Sequence, residues 1–120
     1  MEARAVARHV GMSARKMRLV IDQIRGHDVN DAYAILRFSK KAAAEPIDKV
    51  LRSAVANAVY KADEAGEVLD VDDLYVREAY VNEGRTLRRY RARAYGRATV
   101  IRRRMSHVTV VVDVRDKESE

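Results

Sequence analysis

Between Arg85 and Arg104 the chain places nine arginines in twenty residues: Arg85, Arg88, Arg89, Arg91, Arg93, Arg97, Arg102, Arg103 and Arg104. No lysine and no acidic residue stands among them. A guanidinium offers a planar fork of donors that matches phosphate and can lie flat on a base, whereas lysine supplies a point charge. The chemistry is recognition of a polyanion. The full chain carries 24 basic and 18 acidic side chains, so the hundred residues outside this segment hold 15 against 18 and are net acidic. Basicity here is a local device. Tyr90 and Tyr95 stand among the arginines, where a tyrosine ring either stacks on an unpaired RNA base or ties strands together by cross-strand contact.

A second basic cluster lies at Ser13, Arg15, Lys16 and Arg18. Ser13 is a good helix N-cap, and first-turn amides with these cations can hold a phosphate; an ordinary capped helix with a solvated polar face has the same pattern. Nothing resembles a catalytic constellation. His9, His27 and His107 fall in different elements, and there is no cysteine. Asp70, Asp72 and Asp73 lack the glycine and distal glutamate of a calcium loop and read as a solvated turn. No phosphate loop of the Walker or Rossmann kind occurs. We therefore expect a binding protein, not an enzyme, with no cofactor and no metal. No apolar stretch approaches membrane-spanning length, the first residues lack a signal peptide, and the absence of cysteine suits a reducing cytoplasm.

These residues need a scaffold. At 120 residues the chain is read as one domain, 1–120, with a real but modest core. Residues Ala3 to Val10 alternate as an edge strand, broken by Gly11-Met12. Met17, Val20, Ile21 and Ile24 recur at helical spacing from Ser13 to Arg25-Gly26. A shorter helix opens at Asn30 or Asp31 and runs to about Ser39. The longest helix covers roughly Lys41 to Ala65 with its firm start near Glu45, because Pro46 fits only a first turn. Its apolar stripe is Ile47, Val50, Leu51, Ala54, Val55, Ala58, Val59 and Ala62, with Lys49, Arg52, Asn57 and Lys61 opposite. The period then changes to two, with Leu74 and Val76 on one face and Tyr75, Ala79 and Val81 on the other. It does so again downstream, where Val108, Val110, Val112 and Val114 face one way and Thr109, Val111 and Asp113 the other. The fold class is α+β: three helices on a small antiparallel sheet of about three strands.

The two late strands bracket the arginines, so they join as a long protruding hairpin over residues 82–106. With about twelve residues in each arm at about 3.3 Å each, the ribbon reaches about 40 Å. Arginines occupy both parities, so neither face can lie on an apolar core. Such a ribbon is marginal in water, and is expected to be ordered by phosphates on several sides. Residues 115–120 form a short charged tail expected to fray.

The run Gly84, Arg93-Ala94-Tyr95-Gly96-Arg97-Ala98 and Arg103-Arg104-Met105-Ser106-His107-Val108-Thr109-Val110-Val111-Val112 resembles the signature of the ribosomal protein L-twenty-two family, bacterial type. Ser13 to Val20 with Ile24-Arg25-Gly26 resembles that family's first helix, and Lys49 to Ala58 its long helix. The resemblance implies a structural component of the large ribosomal subunit that binds ribosomal RNA, aids assembly, and lines the nascent-peptide exit tunnel with its hairpin tip. It places that tip at about Leu87, Arg88, Arg89, Tyr90, Arg91, Ala92 and Arg93. It implies as partners ribosomal RNA, neighbouring ribosomal proteins and the nascent polypeptide, with one copy acting as a monomer within the ribosome. Many members carry proline at the positions of Arg85 and Ala92, and losing both leaves the free hairpin more flexible. The competing reading is an architectural DNA-binding protein whose basic β-arm enters a minor groove. Leu87 is its only candidate wedge.

Overall fold

The computed structural model describes the backbone of residues 2–92, 96 and 98–115, and the side chains of these except 89–92 and 98–102. The described elements run β1 (Ala3–Val10), α1 (Ala14–Ile21), α2 (Val29–Phe38), α3 (Ala44–Ala65), a 3-10 turn (Val71–Asp73), β2 (Leu74–Ala92) and β3 (Ala98–Val114). The strands form one antiparallel sheet in the order β1-β3-β2. The three helices cover one face of it. This is the α+β arrangement that the periodicities require.

Each helix is placed by its apolar stripe. In α3, Ile47, Val50, Leu51, Ala54, Val55, Ala58 and Ala62 are buried, the spacing of a single helical face. Pro46 occupies the first turn, where its missing N–H costs nothing. Gly66 ends the helix at φ 69°, with its N–H donating to Asp63 and that of Glu67 to Ala62, the left-handed stop that glycine makes easily. The helix α2 begins at Val29 rather than Asn30 or Asp31, and its buried set is Val29, Ala32 and Leu36. After Ile21 the first helix tightens to three-residue bonds, Gln23 to Val20 and Ile24 to Ile21. This buries Ile24 completely. It also lets Gly26 take φ 82° and donate its N–H to Val76 on β2.

Both outer edges of the body sheet receive side-chain donors from α3, α1 and the turn after α1, which blunts the liability of an open strand edge. On β2, Arg25 donates from Nε and Nη2 to the Ala79 carbonyl at 3.0 and 2.6 Å. One strand repeat on, Arg18 does the same to Val81 at 3.1 and 2.8 Å. On the β1 side, Asn57 donates to Arg4 O at 2.8 Å and Lys61 to Glu2 O at 2.6 Å. Asn57 and Lys61 therefore serve an edge-capping role, although their spacing opposite the apolar stripe reads as a solvated face.

The central strand β3 buries Val108, Val110 and Val112 against the helices. On its other side Thr109 stands in register between Val6 and Tyr80. The strand β1 stops pairing at Val10, opposite Ser106. Beyond that point only β2 and β3 continue, so a three-stranded body sheet becomes a two-stranded arm. The Cα radius of gyration is 18.0 Å, against about 14 Å for a compact chain of this length. The long axis extends 68 Å.

Candidate nucleic-acid interface

The arm starts at two irregularities. In β1 an extra residue between Ala7 and Val10 puts His9 at φ 59°. The His9 N–H is satisfied by Nδ1 of His107 at 3.1 Å, and the two rings meet edge to face. In β2 a bulge between Glu83 and Thr86 admits Gly84 and Arg85. A β-carbon at Gly84 would lie 3.1 Å from the Met105 carbonyl and 3.2 Å from the His107 ring. Glycine is needed there for close approach. Bulges add local twist and re-aim the strand, so these two set the direction of the arm relative to the body.

Beyond the bulge the ladder is continuous from Thr86–Arg104 to Ala92–Ala98. Arg88 stands in register with Arg102, and Leu87 with Arg103. Like charges placed directly opposite destabilise a ribbon by themselves, so this register favours anions between and around the strands. Arg85, Arg88, Arg103 and Arg104 are exposed, and Leu87 is half-buried. The described ladder ends at Ala92–Ala98, and Gly96 lies beyond it at φ 68°. Of the segment expected at the tip, Leu87 to Ala92 are all paired in the ladder, with Leu87 and Arg88 well back from its end. The side chains of Arg89, Tyr90, Arg91, Ala92 and Arg102 lie outside the described residues, as do Arg93, Tyr95 and Arg97 altogether. Residues 116–120 of the expected tail also lie outside them.

The structure brings the two basic clusters of the sequence together. The start of α1 abuts the arm root, and a cavity of 410 Å³ there is lined by Arg15, Arg18, Arg88 and Arg104, with Ser13 at its side and Glu83 the one acid among the described residues that line it. The Ser13 side chain makes no capping hydrogen bond, and no acidic residue lies in the first turn. First-turn amides lack partners within their own helix, so they add to the positive potential of the four guanidinium groups. Lys16 lies on the other flank of the root, with Arg103. Arg18 is divided between tasks: two of its donors hold Val81. Ser106 is buried where the arm enters the body, its Oγ 2.9 Å from the Met12 carbonyl and 3.0 Å from the Met17 Sδ. That contact ties β3 to the loop before α1.

Among the described residues no group of three His, Cys, Asp or Glu side chains could hold a metal ion. No described helix is long and apolar enough to cross a membrane. The acidic turn is internally bonded: Asp70 accepts from the Asp72 amide, and Asp72 accepts from Asn30. Those contacts match the solvated-turn reading of its spacing.

Comparison with known proteins gives one consistent answer. Residues 5–113 match the family model described as Ribosomal protein L22p/L17e. A protein of Bifidobacterium longum named large ribosomal subunit protein uL22 is 55% identical over 112 residues, covering 93% of this chain and 94% of that one. Its counterpart of the same name in Desulfitobacterium hafniense is 55% identical over 111 residues, 92% and 93% of the two chains. The matched span takes in α1, the long helix, the arm and the body sheet, and on this evidence the chain belongs to the ribosomal protein L22p/L17e family.

Proposed function

We propose that this chain is a structural component of the large ribosomal subunit, where it binds ribosomal RNA. The observation that carries the proposal is the convergence at the arm root of Arg15 with Arg88 and Arg104 around one cavity, beside an Arg18 whose donors hold Val81, in a family whose relatives are named as large-subunit proteins. The body positions the arm, and the arm threads between RNA segments because cations on all its sides are neutralised only when phosphate surrounds it. In this reading Ser13, Arg15, Lys16, Arg85, Arg88, Arg103 and Arg104 contact the RNA backbone. Arg89, Tyr90, Arg91, Arg93, Tyr95, Arg97 and Arg102 extend that contact toward the tip, which lines the nascent-peptide tunnel. Neighbouring ribosomal proteins and the nascent chain complete its partners, in the cytoplasm, and binding several RNA segments at once assists assembly.

A DNA-bending arm would need an apolar wedge at its end. Leu87, the candidate, sits in the ladder opposite Arg103, with pairing continuing beyond it to Ala92–Ala98. The decisive experiment is sedimentation of the native protein in high salt. It should remain with large subunits, and a variant lacking residues 85–104 should be released. Recovery of the full-length protein in the free fraction, or on DNA, would overturn the proposal.

A further inference from the structure

We propose that the groove between the arm root and α1 holds one unstacked nucleotide of single-stranded RNA. This inference rests on the RNA-binding reading above and adds to it a mode of recognition and a site. The groove is open-sided, with a volume of 1190 Å³, on the flank of the root away from Arg18. Its apolar lining includes Met12, Leu19, Leu87 and Met105, and its cations are Lys16, Lys41, Arg103 and Arg104; among the described residues no acid lines it. Leu19 is 58% exposed although it sits on a helix with a complete buried face. Apolar surface kept open in a groove shared with four cations fits a ligand that is flat and apolar on one side and anionic on the other.

A nucleotide has that pairing. A base in a duplex keeps its faces inside the stack and cannot reach this lining, whereas a base from a loop or single strand can be splayed out. Thioethers and leucine adapt to a flat ring without selecting its edge pattern, so the groove should bind any base and favour the larger purines by contact area. The volume slightly exceeds the upper end of small-ligand pockets, about 1,000 Å³, and the open side lets the chain continue in both directions. Ser13, Arg104 and Met105 line both this groove and the arginine cavity on the opposite flank. A strand leaving one can therefore pass over the start of α1 into the other.

The test uses the full-length protein and a mixed-sequence RNA 12-mer containing one 2-aminopurine, alone and annealed to its complement. Leu19→Ser should weaken binding of the single strand about fivefold, from the apolar area lost, and leave the duplex nearly unchanged. Lys41→Gln should flatten the salt dependence for the single strand by about 0.7 logarithmic units. The 2-aminopurine emission should change on saturation with the parent protein and change less with Leu19→Ser. Equal single-strand affinity for parent and Leu19→Ser, or an equal loss on strand and duplex, overturns the proposal. Should Leu19→Ser fail to melt cooperatively, Lys41→Gln decides it: an unchanged single-strand slope is then the refuting result. A parent protein that stays with large subunits while these variants show no selective loss refutes the groove alone. A parent that leaves the subunits refutes the functional reading beneath it.

Discussion

Replacing Arg18 by glutamine separates the two tasks that residue can perform. Its Nε and Nη2 both donate to the Val81 carbonyl, at 3.1 and 2.8 Å. A hydrogen bond from a charged donor contributes about 1.5–3 kcal/mol. Arg18 is exposed as a residue while its bonds to Val81 are partly buried, so water can rehydrate part of the freed carbonyl and the lower part of that range applies, about 1.5–2 kcal/mol. For a chain of this size, at about 4 °C per kcal/mol, that corresponds to a fall in Tm of about 6–8 °C, read by circular dichroism on the isolated protein. Arg18→Lys should recover little of it, because one ammonium cannot reproduce a two-donor fork. Affinity for an RNA fragment, measured across a salt series in parallel, should keep nearly the parent slope in Arg18→Gln. An unchanged Tm with a slope flattened by about 0.7–0.9 logarithmic units would refute the edge-clamp assignment and make Arg18 a phosphate ligand.

Alanine at Arg88 or Arg104 should do the opposite, lowering the salt slope by about 0.7–0.9 units per lost phosphate contact with Tm changed little. Ser106→Val should cost about 1–2 kcal/mol in urea unfolding, because it leaves the partly buried Met12 carbonyl without the Ser106 donor. Gly84→Ala should cost about 1–2 kcal/mol by overpacking, since the His107 ring it meets is held by the His9 amide; a neutral melt would show that the ring moves freely. Burial raises the pKa of the Tyr33 hydroxyl, with Arg52 opposing and Asp48 adding to the rise. A raised folded pKa gives stability that is complete below the unfolded value of about 10 and is lost as pH rises past it. Urea midpoints at about pH 9 and pH 11 should therefore fall further for the parent than for Tyr33→Phe, and equal falls would remove Tyr33 as a source.

The sequence carried the elements wherever one physical requirement repeated along the chain. The α3 stripe from Ile47 to Ala62 follows from burying one face of a helix, the stop at Gly66 from the left-handed backbone that glycine takes easily, and the alternation from Val108 to Val112 from the two-residue period of a strand. The density of arginine between Arg85 and Arg104 likewise announced a polyanion before any fold was known. Boundaries were less legible where a tertiary contact fixed them. Val29 joins α2 because it has a core to enter, and the tightening of α1 after Ile21 is what lets Gly26 bond to Val76. Spacing alone holds neither fact.

The sequence by itself determined three helices, a sheet, a basic ribbon and a family. Local periodicity, charge and motif are properties of neighbouring residues and need no partner. Only the tertiary structure decided what distant residues do together. It placed Arg15 and Arg18 against Arg88 and Arg104 in one cavity, some seventy to ninety residues apart in the chain. It gave the donors of Arg18 and Arg25 to the β2 edge, and those of Asn57 and Lys61 to the Glu2–Arg4 side of the sheet. It set Met12, Leu19 and Met105 in one groove with cations. A solvated lysine, an edge clamp and a phosphate ligand have the same side chain; the carbonyl or open groove that packing brings within reach separates them.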